Sequence, residues 1–230
     1  MGIARKLHNL THPVVGRILM LHRVVDQRSD VSEQRKLEVT VDYLKQTIQE
    51  YKTKGLKFLS IDDINHLSPF TSRLSPFACI TFDDGYLDTL TLAYPILKET
   101  NTPFAVYMTR DFYRGTRRPA WVPEAPMLST DQLRQLASDP LCTVGCHTCT
   151  HPRLSTLTVE QQRRELADCK TDLEQLLGME ICHLAYPHGN YNADTLRIAA
   201  ELGFATAVTT SGRPVRTDAR LLELDRITLS

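Results

Sequence analysis

The chain has 230 residues, 42% of them hydrophobic, so it can bury a sizeable core, and its 27 basic side chains are balanced by 27 acidic ones. A net charge of zero excludes recognition of nucleic acid or an anionic membrane by bulk electrostatics. Near the N-terminus the only hydrophobic run is broken by Arg17, His22 and Arg23, and no apolar span reaches the roughly 18 residues a membrane helix needs; the chain therefore reads as unexported and cytoplasmic, with peripheral membrane association left open.

Apolar runs alternate with helix-patterned stretches along the whole chain, which is the order of a parallel sheet or barrel. A strand is predicted near 17–22, a helix near 41–54 opened by Thr40 and closed by Gly55, a short strand at 56–59 and a helix from Ser60. A strand at 77–82 follows, then a helix near 87–99, a strand near 103–108, a Pro-rich irregular excursion at 113–128 and a helix at about 130–138. The rest reads as a strand near 142–146, a long helix near 159–177, a strand at 181–186, a helix at 193–202 stopped by Gly203, a strand at 204–209 and a last strand at 224–229. Ser129 with Gln132, and Thr158 with Gln161, each fit the box in which a hydroxyl and an amide satisfy orphan N–H groups at a helix start. No repeat, low-complexity segment or linker divides the chain, so a single domain over 1–230 is expected, with 1–16 as an N-terminal extension.

On this map the polar clusters sit at strand ends: His22 after the first strand, Asp83 and Asp84 after the third, His147 after the fifth and Tyr186-Pro187 after the sixth. In a closed parallel barrel these ends share one face, where barrel enzymes place their chemistry. Two adjacent carboxylates repel each other and point to opposite faces of a strand, so Asp83 and Asp84 read as two jobs. His147 and His151 are spaced so that, in a turn or nascent helix, both imidazoles can face one point, and Asp84 is the natural third ligand of a hydrolytic metal site, leaving Asp83 as the base. His8 and His12 have the same spacing but no acidic partner and no preceding strand, and read as a surface pair. The six cysteines, mostly in or beside strand-like runs, are expected to be reduced; Cys146 and Cys149 form a Cys-x-x-Cys that admits a redox or structural zinc reading, although that reading leaves the Asp pair and His22 unexplained.

The segments TFDDGY, HTCTHPRLS and AYPHGNYN, in this order, resemble the first three motifs of the polysaccharide deacetylases, the NodB-homology group also called carbohydrate esterase family four. The resemblance covers roughly residues 17–210 and implies a distorted (β/α) barrel of about seven parallel strands. It implies a hydrolase of N-acetyl groups on GlcNAc-type sugars in a polysaccharide, oligosaccharide or glycan precursor, with one divalent ion held by Asp84, His147 and His151. Zinc is the first expectation for that ion, and cobalt, nickel and iron suit the same ligands. Asp83 would then be the catalytic base, and the backbone N–H of Tyr86 would meet the developing oxyanion. Most members draw the general acid from a C-terminal histidine motif. No histidine follows His188 here, and His22 instead resembles the equivalent residue of the permuted branch that includes the poly-N-acetylglucosamine deacetylases. As an acid His22 must carry a proton when the amine leaves, so its pKa is expected near or above the working pH.

Where the third motif usually has an arginine and a tyrosine, this chain has Leu184 and His188, and the fourth motif is not recognisable. His188 and Trp121 are candidates to line the sugar groove, and Asp225 and Arg226 to support the site from the last strand. Two alternatives remain at this level: hydrolysis of another linear or cyclic amide on the same fold, and a catalytically silent glycan-binding or scaffold protein.

Overall fold

A computed structural model describes residues 11–67, 70–71 and 74–229. Its strands and helices, in chain order, are β1 (Val14–Leu21), β2 (Arg23–Val25), α1 (Ser32–Arg35), β3 (Glu38–Thr40), α2 (Val41–Thr53), β4 (Lys57–Phe58), α3 (Ile61–His66) and β5 (Phe77–Phe82). A π-helical turn over Thr89–Ala93 leads into α4 (Tyr94–Glu99), followed by β6 (Phe104–Met108), α5 (Arg110–Tyr113), α6 (Thr130–Ala137), β7 (Cys142–Cys146), α7 (Val159–Leu177), β8 (His183–Ala185), α8 (Ala193–Glu201), β9 (Thr206–Val208), β10 (Val215–Arg216) and β11 (Arg226–Thr228).

β5 and β6 are buried along their whole lengths, as parallel strands covered on both faces must be. Period-2 alternation then sorts their side chains. Ile18 on β1, Phe77 and Cys79 on β5, Ala105 and Tyr107 on β6 and Ala185 on β8 pack together inside the curled sheet. Their neighbours Leu19, Ile80, Val106, Cys146 and Leu184 pack outward against α2, α6, α7 and α8. The helices meet that layer through regular stripes: α7 buries Gln162, Leu166, Cys169 and Leu173, one face at helical spacing. Both expected capping boxes are present, and α7 stops at Gly178, whose φ of 68° is the left-handed conformation that ends many helices.

The main sheet runs β10-β1-β5-β6-β7-β8-β9, with β11 also on β1 and β4 on β5. β1 is parallel to β5 on one side and to β11 on the other, and Leu224, just before β11, bridges Val208 of β9. Seven parallel strands (β1, β5, β6, β7, β8, β9 and β11) thus form the expected distorted barrel, closed by the contact between β9 and the segment leading into β11. Ile61 and Ile64 of α3, with Phe70, plug the N-terminal mouth.

Four features differ from the sequence expectation. β2 and β3 form a separate two-stranded parallel sheet over residues to which the sequence reading assigns no element, β10 runs antiparallel to the start of β1, and β1 begins at Val14, inside the expected extension. The helix expected near 87–99 is split, because Pro95 has no N–H to offer the preceding turn, which winds wider as a π-turn. Among the described residues no helix is long and apolar enough to cross a membrane.

Candidate functional site

The parity of the strands decides what reaches the C-terminal mouth. Phe77, Cys79 and Thr81 alternate with outward residues, and Asp83 continues their inward row one step beyond β5; Met20 and His22 extend β1 in the same way, and His147 extends β7. Asp84 would point outward on an extended strand. Its φ of 71°, followed by Gly85 at 88°, turns the chain so that its carboxylate joins the pocket. Thr148 and His151 take the same left-handed conformation at 67° and 62°. The sharp turn they make, rather than a nascent helix, brings the two histidines together. Its geometry is fixed from both sides: the Thr148 hydroxyl accepts the His151 N–H at 3.0 Å, and Glu165 of α7 accepts the N–H groups of Cys149 and Thr150, each at 2.9 Å.

The result is a compact donor set. His147 Nε2 and His151 Nε2 lie 3.5 and 3.4 Å from the same oxygen, Asp84 Oδ1, and one donor atom from each residue falls within 4.8 Å of the others. His147 Nδ1 lies 2.8 Å from the Ala185 carbonyl, which can only accept, so Nδ1 carries the proton and Nε2 presents a lone pair. Asp84 Oδ1 is buried with no hydrogen-bond partner, an expensive state for a carboxylate oxygen. Burial pushes the His147 pKa down to about 4 and also lowers that of His151, while burial and the neighbouring charge of Asp83 raise Asp84. Two neutral imidazoles and one orphaned carboxylate oxygen, converging where nothing else satisfies them, fit a divalent cation.

Asp83 is held differently. The Arg226 guanidinium, itself fully buried, grips it as a fork, with Nη1 to Oδ1 at 2.7 Å and Nη2 to Oδ2 at 2.6 Å. Arg226 is steadied in turn by donating to the Thr209 carbonyl at 2.9 Å and the Thr81 hydroxyl at 3.0 Å. Burial alone would raise the Asp83 pKa, but the Arg226 charge and its hydrogen bonds outweigh it and hold the carboxyl well below the usual range. Arg226 thus supplies from the last strand the counter-charge that keeps Asp83 ionised. Asp225, its neighbour in sequence, pairs with Arg213 outside this pocket.

His22, Asp83, Asp84, His147, His151, His188 and Trp121 line one cavity of about 330 Å³, with Glu33, Lys36 and Leu37 at its rim. Contrary to the sequence expectation, the His22 pKa is lowered: burial disfavours the imidazolium more than the Asp83 charge favours it. His22 is therefore neutral at rest. Its backbone is fixed by its successors, since Asp88 accepts from the Val24 N–H at 3.1 Å and from Arg23 at 3.0 Å. Tyr86 is buried and forms a bridge with Met127 whose hydrogen bonds run through Leu87 and Leu128, and among the described residues its own N–H has no acceptor. Trp121 donates to the Tyr86 hydroxyl at 2.9 Å and sets its ring 4.9 Å from that of His151, which places it in the pocket wall. His188, left-handed at φ 58°, brings its ring 4.6 Å from that of His151 and 6.4 Å from that of Trp121.

Cys146 and Cys149 face away from this pocket. Both are buried among α7 residues, with their thiols near the carbonyls of Leu166 and Arg164, and all six cysteines are free. His8 of the expected surface pair lies outside the described residues, and the His12 carbonyl accepts from Arg216 at 2.7 Å.

The family profile described as "Polysaccharide deacetylase" matches residues 73–207. The chain belongs to the polysaccharide deacetylase family. Like its relatives, this deacetylase-family chain is recognisable at the level of both sequence and fold. YxkH of Bacillus subtilis (strain 168), which carries the polysaccharide deacetylase name, is 30% identical over 151 residues, or 66% of this chain, and the chain spans about half (50%) of that relative's length. The Streptococcus pyogenes deacetylase PplD, solved in complex with acetate, superposes with a TM-score of 0.82 at 28% identity, covering 94% of this chain and 93% of that one. IcaB from Ammonifex degensii shares the fold, with a TM-score of 0.78 at 22% identity over 94% of this chain and 92% of its own.

Proposed function

We propose that the protein is a metal-dependent hydrolase that removes N-acetyl groups from a GlcNAc-type sugar. The observation that carries this reading is the convergence of Asp84, His147 and His151 on one point beside an ionised, Arg226-clamped Asp83, at the floor of a single cavity. A divalent ion held by Asp84, His147 and His151, with zinc as first expectation, supplies Lewis acidity to the acetyl carbonyl and to water.

The chain's own groups then have distinct tasks. Asp83 accepts the proton of the attacking water, and the fork of Arg226 keeps it ionised until that moment. The unused N–H of Tyr86 is the donor for the oxygen that gains charge as the carbonyl is attacked. Breaking the C–N bond requires a proton on the departing nitrogen. His22 is neutral at rest, so the proton it delivers is gained within the cycle; protonated Asp83, made a strong acid by Arg226, is the source. Water has then given one proton to the amine and its hydroxyl to the acyl carbon, and the acetic acid formed ionises to acetate as it is released. Trp121 and His188 wall the pocket and exclude other water from the acetyl group. Support also comes from PplD, the similar structure solved with acetate, which is the acid that deacetylation releases.

Acetate release from chitooligosaccharides, measured with and without a chelator and paired with elemental analysis of the purified protein, tests this reading. The expected result is release that the chelator abolishes and added divalent ion restores. Release unaffected by complete removal of metal would overturn the metal-dependent mechanism, and absence of release from any N-acetylated sugar would overturn the assignment.

A further inference from the structure

The two histidines of the candidate metal site are held in place by different means. The His147 ring is oriented through its own Nδ1, which donates to the Ala185 carbonyl at 2.8 Å. His151 Nδ1 is buried and has no hydrogen-bond partner among the described residues, although the second ring nitrogen of a metal-bound histidine almost always has one. Packing against the rings of Trp121 at 4.9 Å and His188 at 4.6 Å confines the His151 ring, but no polar contact aims its Nε2. The aim of Nε2 is therefore set by the backbone of the turn that carries the residue.

That turn is not one the chain adopts by itself. Thr148 and His151 are both left-handed, at φ 67° and 62°, a conformation that is costly for residues with a Cβ and persists only where the surroundings impose it. On one side the imposing contacts come from the segment that opens α5. The Thr109 hydroxyl donates to the His147 carbonyl at 3.2 Å, and the N–H groups of Arg110 and Asp111 donate to the Thr148 and Cys149 carbonyls at 3.1 and 3.0 Å. On the other side a single carboxylate does the holding: Glu165 Oε2 accepts the N–H groups of Cys149 and Thr150, each at 2.9 Å, and Oε1 accepts the Thr150 hydroxyl at 2.8 Å. Glu165 is anchored in turn by α7, which buries Gln162, Leu166 and Cys169 on either side of it in sequence. Withdrawing its carboxylate would strand two adjacent N–H groups in the middle of the turn, between the two histidine ligands.

We propose that Glu165 is a positioning residue for the metal centre: it does for His151, through the backbone, what the Ala185 carbonyl does for His147 through the ring. This rests on the metal-dependent reading of the pocket. The contribution of Glu165 is one of reach rather than charge. A glutamine in its place can present its oxygen to the two N–H groups and its NH₂ to the Thr150 hydroxyl, which is able to accept. An aspartate keeps the charge but draws the carboxylate back by one methylene, out of hydrogen-bond distance.

The experiment titrates Zn²⁺ alone into metal-free wild type, Glu165→Gln and Glu165→Asp in competition with a chromophoric chelator, and records the Tm of each metal-free protein. Positioning predicts that Kd rises about 10–100-fold in Glu165→Asp, the usual effect of losing an outer-shell partner, and stays within about twofold of wild type in Glu165→Gln. A Glu165→Gln variant that binds as weakly as Glu165→Asp, or more weakly, would mean that the carboxylate acts by its charge, and overturns the proposal. Equal Kd in all three proteins, with only the Tm of the metal-free forms lowered, marks Glu165 as a packing residue and overturns it too. Should Glu165→Asp not fold, Thr150→Val, which removes one of the three hydrogen bonds, takes its place with an expected rise in Kd of about fivefold, and an unchanged Kd there overturns the proposal. A wild type that binds no Zn²⁺ overturns the metal-dependent reading and the positioning role with it, an outcome distinct from a wild type that binds and variants that match it.

Discussion

Asp83 joins two properties that seldom occur together, complete burial and full ionisation, and Arg226 is the reason. Replacing one member of a buried, forked pair strands the charge of the other, at a cost of about 3–5 kcal/mol. Arg226→Met is expected to lose stability on that scale at neutral pH. The Asp83 pKa is depressed in the fold, so the stabilisation it contributes is present above the ordinary carboxylate range and lost as pH falls through it. The gap between wild type and Arg226→Met should therefore shrink on acidification toward pH about 4, where the stranded carboxylate can protonate; denaturant unfolding from pH 4 to 8 measures this, and a constant gap would contradict the linkage. Asp83→Asn is expected to retain bound metal while turnover falls by about 10²–10⁴, checked by elemental analysis beside the acetate assay. Wild-type turnover in that metal-loaded variant would exclude Asp83 as the base. Single residues were unevenly legible in the sequence. Asp83, Asp84, His147 and His151 announce themselves by adjacency and spacing, whereas Arg226 stands 143 residues from Asp83 and offered only its place on a final strand as a signal. The His22 protonation state was not legible, because it depends on how burial and the Asp83 charge balance.

Longer elements follow from local chemistry and short ones do not. α6 and α7 begin where their capping boxes say, and β5 and β6 coincide with uninterrupted apolar runs. β2, β3 and β10 are three, three and two residues long, too short for any periodicity, and they exist because neighbouring strands supply their partners. At the N-terminal mouth α3 is locked to the sheet by a polar contact that also has no sequence signature: Asp62 accepts from Thr143 at 2.7 Å and lies 2.7 Å from His183, whose other ring nitrogen meets the Thr206 hydroxyl at 2.9 Å. The His183 bond is the main cause that lowers the Asp62 pKa. Stability from this contact is thus present above the ordinary carboxylate pKa and lost as pH drops below it. Because Asp62 is largely exposed, Asp62→Asn should cost only about 1 kcal/mol at pH 7 and nothing near pH 2, read from the pH dependence of Tm. An equal deficit at both pH values would mean that packing of α3, not charge, makes the difference.

At the scale of the whole molecule the proposed metal ligands come from the turns that follow two strands, β5 and β7, so an ion that binds the folded chain alone would stabilise it by mass action. With free metal at a hundred times its Kd that amounts to about 2.7 kcal/mol, or roughly 5–10 °C in Tm for a domain of this size. Chelation should lower Tm by that much, and His147→Ala or His151→Ala should remove both the bound ion and the response; a chelator shift that survives both substitutions would place the ion elsewhere. The barrel seam bears on a different matter, the order in which the chain is made. β1 is synthesised first, yet two of its partners, β10 and β11, lie beyond residue 214, and Asp83 leaves the ribosome long before Arg226. Until residue 226 arrives, one edge of β1 stays open and Asp83 has no counter-charge to be buried with. A nascent chain can already hold Asp84, His147 and His151, the proposed metal ligands, and still lack Arg226, so on the proposed reading the binding site can form before the base acquires its counter-charge.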